Sequence, residues 1–223
     1  MNKISLYILL ILIFLGLSKS FSPNHKNIKF LKNKNSFPIL VKEAPISLIL
    51  IKSFTRGTFI KSYLQTYRLI HGFKPNESKL ITFRTTKSFW LKSKKFLGMS
   101  LFRRENKLSS GSSLPMPPGT LFIGDLAYGK WQKSQKKGKV WIFRRSYSHF
   151  PEVLGWGNFK PDEIFFLKLN ENKKKIKPFY GENNEFKKLE KPLNSLLEQE
   201  LKKKKFISYI KSYWTFPKKK EKK

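Results

Sequence analysis

Few residues in this chain have the types and the spacing that catalysis requires. Its three histidines are His25, His71 and His149, and cysteine is absent. The absence of cysteine rules out disulfides, thiolate nucleophiles and the common cysteine-ligated zinc sites. A metal site needs several converging ligands, and the segment around His149 offers no second histidine. The sequence therefore predicts a non-enzymatic protein that holds neither a metal nor a cofactor.

A hydrolase is the catalytic alternative, and it would be built from Ser146, His149 and Asp125. These residue types can act as nucleophile, general base and orienting acid when their side chains converge. Their spacing does not indicate convergence, because a triad is defined by geometry rather than by position in the chain. Asp125 is more simply explained as a turn residue. Gly124 and Gly129 match no phosphate-binding loop pattern.

A second group of residues, between positions 128 and 156, combines aromatic rings with cations. Proteins hold single-stranded nucleic acid with aromatic faces that stack on bases and with cations that contact phosphates. The residues assigned to this role are Lys130, Trp131, Lys139, Arg144, Arg145 and Tyr147. Trp141 and Trp156 are assigned to the core instead, because an indole buries a large apolar area. The predicted partner is RNA, a ribonucleoprotein or another polyanionic assembly.

The overall charge supports a polyanionic partner. The chain has 47 Lys and Arg against 14 Asp and Glu, a net charge of +33. A compact body with this charge repels itself unless it binds a polyanion or loses part of its chain. Tracts of Lys and Asn such as 32–35 also indicate a compositional bias, so only part of the charge is a functional signal.

The fold is predicted to centre on residues 114–169, where glycines and prolines separate short apolar runs. Residues 120–123 and 139–144 have the composition of strands, and the polar segment between them predicts a hairpin. Pro161, Asp162 and Glu163 are typical of a helix start and favour a helix over 164–169. The predicted fold class is α+β, with a small antiparallel sheet or open barrel over about 114–169.

A C-terminal amphipathic helix is predicted after this sheet, because apolar residues recur at helical spacing from Leu193 to Trp214. The helix either docks on the sheet or, with Lys202–Lys205 beside its apolar stripe, lies on an anionic membrane surface. The folded domain is thus expected to span 114–216. The basic tail 217–223 is too charged to fold.

The first 22 residues have the pattern of a signal peptide: a lysine, an apolar run over 4–17, and small residues near Ser20. The alternative is an uncleaved anchor. The run is shorter than the roughly 20 residues that span a bilayer.

Residues 23–113 are read as a basic leader. Between Phe21 and Ser113 there are 19 Lys and Arg but only three acids. This composition, after a signal peptide, resembles the bipartite leaders of protists whose plastid lies inside the endomembrane system. A Ser- and Pro-rich linker over 107–118 would end it. The alternative is real structure, with strand-like composition at 37–41 and 46–51 and helical spacing over 60–70.

Together these observations predict a basic accessory protein that enters the secretory pathway and is routed to a plastid. Export to the exterior or periplasm, or membrane anchoring, is the alternative destination. RNA or ribonucleoprotein binding is the leading function. The alternative function is that of a membrane-associated subunit of a larger complex, held by an amphipathic or N-terminal hydrophobic segment.

Overall fold

The computed structural model describes residues 3–21, 28–57, 60–74, 78–135 and 138–187. The helices are α1 (Lys3–Phe21), α2 (Phe37–Leu40), α3 (Lys87–Ser93), α4 (Phe150–Val153) and α5 (Glu163–Lys174). The strands are β1 (Phe30–Leu31), β2 (Ile46–Arg56), β3 (Ser62–His71), β4 (Ser78–Thr85), β5 (Ser100–Arg104), β6 (Gly129–Ser134) and β7 (Gly138–Phe143). The fold is therefore α+β, as predicted.

The main sheet contains five strands in the order β1-β4-β3-β2-β5. All neighbouring pairs are antiparallel except β1 and β4, which are parallel. The register between β2 and β3 shifts between Leu50 and Lys52, and a second irregularity separates Leu48 from Ile49 opposite β5. Such bulges bend a strand and increase its twist. The sheet is accordingly curled into a half-barrel.

One face of this sheet, called the inner face, is lined by Leu48, Leu50, Tyr67, Leu69 and Phe83, all buried. They share one hydrophobic cluster with residues of α2 and α3. Phe37 of α2 is central to that cluster: its ring centroid lies 5.6 Å from that of Tyr67 and 5.5 Å from that of Phe102. The short helices therefore form a layer over the inner face.

A small polar network crosses this layer. The Gln65 side-chain amide donates to the hydroxyls of Ser53 (3.0 Å) and Ser93 (2.8 Å), and its oxygen accepts from the Tyr67 hydroxyl at 2.8 Å. Burial raises the pKa of Tyr67 far above the ordinary tyrosine value of 10.0. The network thus satisfies a buried glutamine that would otherwise destabilise the core.

The opposite face, called the outer face, is covered at one end by the chain that follows β5. Ile49 and Ile70 belong to a second hydrophobic cluster, together with Phe122, Phe150 and Trp156. The sheet and the later segment therefore share this second core, and the later segment has no complete core without the sheet.

The predicted helix is present in this later segment, but only the second strand and the turn of the predicted hairpin are, because the first strand is 129–134 and not 120–123. β6 and β7 pair from Gly129 and Phe143 at one end to Ser134 and Gly138 at the turn. The Asp162 carboxylate accepts the Phe165 N–H at 2.8 Å and caps α5. The prediction of a helix after Pro161 is therefore confirmed, although the helix continues beyond the predicted 164–169 and ends at Lys174.

The prediction that 114–169 supplies the main sheet is wrong. That stretch contributes only the two-stranded β6–β7 ribbon, and 120–123 form turns rather than a strand. The five-stranded sheet lies in 30–104, within the segment read as a leader. The linker expected over 107–118 is part of the fold, because Ser112 and the buried Met116 pair with β5.

Within 30–104 the local predictions have mixed outcomes. The strand over 46–51 is confirmed as part of β2, whereas 37–41 contains the short helix α2. The helical spacing over 60–70 is misleading, because 62–71 form the central strand β3. A strand that is covered on both faces buries consecutive residues as well as alternate ones. Its apolar residues can then recur at helical spacing. The predicted C-terminal helix and the tail 217–223 lie outside the described residues.

α1 coincides with the apolar run of the predicted signal peptide, and its described side chains, 3–15, are all exposed. In the part of the chain that the structure describes, no helix is both long enough and apolar enough to span a membrane.

Candidate nucleic-acid interface

The end of the outer face that the later segment leaves uncovered carries cations and hydroxyls in register. Lys52, Thr66 and Thr82 are opposite one another on β2, β3 and β4, and the two threonine hydroxyls hydrogen-bond at 2.9 Å. Phe54 and Arg84 lie in the next row, on either side of Leu64. Residues opposite one another in a sheet project from the same face. These side chains therefore form one surface.

We call this set the outer basic surface, and it consists of Lys52, Phe54, Arg56, Thr66, Thr82 and Arg84. Its cations flank aromatic rings. The Lys52 Nζ lies 5.2 Å from the centroid of the Phe54 ring, and the Arg56 guanidinium lies 5.6 Å from the same centroid. The Arg84 guanidinium lies 5.2 Å above the ring of Phe30 on β1. Lys52, Arg56 and Arg84 are exposed.

No carboxylate belongs to these strands. The sequences of β1 to β5 contain neither Asp nor Glu, so the sheet offers its cations no acidic cross-strand partner. Unpaired cations on one face produce a positive potential that attracts phosphates. A rigid sheet also fixes the spacing of these charges, which a loop does not.

Arg68 joins this surface to the rest of the fold. It projects from the outer face, where its Nη1 donates to the Val153 carbonyl oxygen at 2.7 Å. Val153 ends α4, so the hydrogen bond ties the sheet to the later segment.

The aromatic residues proposed from sequence for nucleic-acid binding are engaged in packing. The Trp131 ring centroid lies 5.2 Å from that of Trp141 and 5.5 Å from that of Phe166. Tyr147 packs edge-on against Tyr128, with centroids 5.0 Å apart. Burial, then Tyr147 and Asp125, raises the pKa of Tyr128 to about 12. Trp131 and Tyr147, the two predicted aromatic residues, are both half-buried.

The predicted cations of the hairpin are all exposed, and two of them are engaged. Lys139 lies 3.5 Å from the Glu163 carboxylate, and the Arg144 Nε donates to the Leu126 carbonyl oxygen at 3.0 Å. Lys130 points outward from β6, and Arg145 begins a short 3-10 turn. The structure does not gather these cations on one sheet face, as it gathers Lys52, Arg56 and Arg84 on the main sheet.

The residues of the hydrolase alternative have structural roles. The Asp125 Oδ1 accepts the Ala127 N–H at 2.9 Å, which is the geometry of a turn-stabilising aspartate. His149 immediately precedes α4, and its ring packs edge-on against Phe150 with centroids 5.7 Å apart. Among the described residues, no cluster of three or more His, Cys, Asp and Glu side chains is placed to hold a metal ion.

The outer basic surface was absent from the sequence prediction, although the sequence contains a signal for it. In Lys52-Ser53-Phe54-Thr55-Arg56 a cation, a ring and a cation alternate with small polar residues, which is the period of a strand with one binding face. The acid-poor composition of 23–113, which is typical of a leader, and its bias toward Lys and Asn both obscure this pattern.

Comparison with known proteins adds no family assignment: no protein-family model, no curated protein and no solved structure matches this chain.

Proposed function

We propose that the protein is a non-enzymatic binding protein that holds single-stranded RNA, free or in a ribonucleoprotein, on its outer basic surface. The observation that carries the proposal is that Lys52, Arg56 and Arg84 project from one sheet face beside two phenylalanine rings, on strands that lack carboxylates. Cations contact phosphates, and ring faces stack on bases at about 1–3 kcal/mol per base.

The test compares two triple variants that remove the same charge. The first is Lys52→Gln/Arg56→Gln/Arg84→Gln on the sheet, and the second is Lys130→Gln/Arg144→Gln/Arg145→Gln on the hairpin. Binding of a labelled oligouridylate is measured by fluorescence anisotropy over a range of salt concentrations. Each phosphate contact contributes about 0.7 to the slope of log affinity against log salt for single strands, so the sheet variant should lose about 2 from that slope.

The hairpin variant should keep the slope and most of the affinity of the unmodified protein. Loss of oligouridylate binding in the hairpin variant alone would support the interface predicted from sequence. It would contradict the proposed interface on the main sheet. Equal losses would show that only total charge matters. Pelleting with phosphatidylserine vesicles without oligouridylate binding would favour a membrane-associated subunit instead.

A ring substitution separates stacking from charge. Phe54→Leu keeps an apolar side chain between Lys52 and Arg56 but removes the ring face. We expect weaker oligouridylate binding with an unchanged salt slope, because no cation is lost. Unchanged affinity would mean that Phe54 only supports the neighbouring cations.

For localisation we propose that 1–22 act as a signal peptide and that the mature chain retains everything from Ile28 onward. The support is the core shared between the sheet and the segment after Leu114, since a leader that ended near residue 113 would remove all five strands. This favours export over plastid routing by a long leader. Mass spectrometry of the mature N-terminus tests it, and a start near residue 110 would contradict it.

A further inference from the structure

A pocket of about 330 Å³ lies where β5, the loop that follows it and α5 meet. Its polar lining consists of Arg103 from the strand, Glu105, Ser109, Ser110 and Ser112 from the loop, and Lys173 from the helix. None of these residues belongs to the outer basic surface.

Arg103 places a buried positive charge in this pocket. Its side chain is only 5% exposed, and it projects from the outer face, whereas the next residue, Arg104, turns inward to the carbonyls of Pro38 and Val41. The Arg103 guanidinium donates to the carbonyl oxygens of Ser100 (3.0 Å) and Leu114 (2.6 Å). Among the described residues no carboxylate lies within 4.0 Å of it.

Lys173 brings a second cation to the same pocket. Burial is the main cause that lowers its pKa, and the positive charge of Arg103 lowers it further. Burial likewise lowers the pKa of Arg103 to about 10. Glu105 lines the pocket, and its negative charge raises the pKa of both Arg103 and Lys173. In the described chain it forms no ion pair with either cation within 4.0 Å. The pocket therefore holds two cations and a single, unpaired carboxylate.

The loop adds neutral hydrogen-bond donors. The amides of Ser110 and Gly111 donate no hydrogen bond to any described residue. Gly111 has a φ of +75°, and a Cβ there would lie 2.7 Å from the Arg103 carbonyl oxygen, so the loop needs glycine at this position. Successive free amides at a positive-φ turn form the concave arrangement that binds anions. Serine hydroxyls at 109 and 110 line the same space.

From this geometry we propose that the pocket binds a small tetrahedral oxyanion of the phosphate class, between the Arg103 guanidinium, the Lys173 ammonium and the 109–112 loop. An oxyanion supplies the negative charge that the two cations lack. Donors that converge from a strand, a loop and a helix match a tetrahedral group better than a planar carboxylate. The anion is either free phosphate or the terminal phosphomonoester of a nucleic-acid strand.

The experiment uses the full chain and inorganic phosphate, with chloride at equal ionic strength as the reference. Lys173→Met is compared with Lys174→Met, the exposed neighbour on the same helix. Isothermal titration should show phosphate binding that Lys173→Met weakens at least about tenfold and Lys174→Met leaves unchanged. Equal binding by the two variants, or no preference for phosphate over chloride, overturns the proposal.

Amide chemical shifts provide a second measurement that does not depend on the substitution. Phosphate should shift the Ser110 and Gly111 N–H signals of the unmodified protein, and a titration without changes at these two amides overturns the loop's role. Affinity should fall as pH rises through the lowered pKa of Lys173, because the neutral amine no longer attracts the anion.

Oligouridylates with a 5′-phosphate and a 5′-hydroxyl separate the two sources of the anion. Preference for the 5′-phosphorylated strand that is lost in Lys173→Met assigns the pocket to a nucleic-acid end. Phosphate binding without that preference assigns it to a free phosphate compound. Either result can occur whether or not the outer basic surface binds RNA, so the failure of one proposal is distinguishable from the failure of the other.

Discussion

The two faces of the five-stranded sheet are built from the same strands but have opposite characters. The inner face is closed by α2 and α3 and holds Phe37, Tyr67 and Phe102 with almost no exposure. The segment after β5 covers the outer face at the end near Ile49 and Ile70, and the other end presents Lys52, Arg56 and Arg84 around a buried Leu64. Alternation along each strand produces this division, because neighbouring residues project to opposite sides.

The comparison shows how stability and binding can be separated in one sheet. Packing on the inner face tolerates little change, since buried rings leave cavities when truncated. Exposed cations on the outer face contribute little to stability and are available to a ligand.

The largest effect is expected from removing the sheet. A chain that begins at Leu114 lacks Ile49, Ile70 and Met99, which share a core with the later segment. We expect it to lose cooperative unfolding, as measured by circular dichroism in urea. A chain that begins at Ile28 is the control and should unfold like the full protein. Cooperative unfolding of the shorter chain would show that the two faces belong to separable domains.

The next largest effect on the free energy of unfolding is expected from removing a buried ring of the inner face, compared with a ring of the outer face. Phe102→Ala on the inner face should reduce the free energy of unfolding by about 3–5 kcal/mol, because a fully buried ring leaves a cavity. Phe54→Ala on the outer face should reduce it by less than about 1 kcal/mol, because that ring is half-exposed. Urea denaturation measures both. Similar losses would contradict the division between the faces.

Because of Tyr67, the free energy of unfolding should depend on pH in the alkaline range. Its pKa is raised by burial, so the folded state keeps the phenol neutral while the unfolded chain ionises near pH 10.0. Stability is therefore present below pH 10 and declines above it. Tyr67→Phe should cost about 1–2 kcal/mol at neutral pH, since it leaves Gln65 short of a donor.

The same substitution should make the alkaline decline shallower. Urea unfolding of both proteins on either side of pH 10 measures this difference. Parallel declines in the two proteins would assign the alkaline sensitivity to other groups.

The smallest effect on stability is expected on the outer basic surface. Lys52→Gln, Arg56→Gln and Arg84→Gln should each change the free energy of unfolding by no more than about 0.5 kcal/mol, because all three side chains are exposed. Thermal unfolding of each variant measures it. A stabilisation would also fit the relief of repulsion among like charges, whereas a large loss would show that this surface is structural.

Local signals in the sequence were sufficient for several elements. The apolar run of β2, the second hairpin strand and the start of α5 after Pro161 are set by neighbouring residues, and each is predicted from them. Charge and the absence of cysteine were likewise read directly from the chain.

The candidate site depended on contacts that are distant in sequence. Lys52, Thr66 and Thr82 become one row only through the β2–β3 and β3–β4 registers. Arg103 and Lys173 line the same pocket because β5 and α5 both lie beside the loop that follows β5. Such pairings could not be inferred from spacing along the chain, and the acid-poor composition of 23–113 pointed to a leader instead.

The class of the fold, the positions of strongly patterned elements and the excess of positive charge follow from composition and local propensity, which act over a few residues. That 62–71 is a strand, and that Ser112 and Met116 pair with β5, depends on the tertiary structure. It also decided which cations lie together, because side chains from distant strands meet only when the register and the shared core fix them.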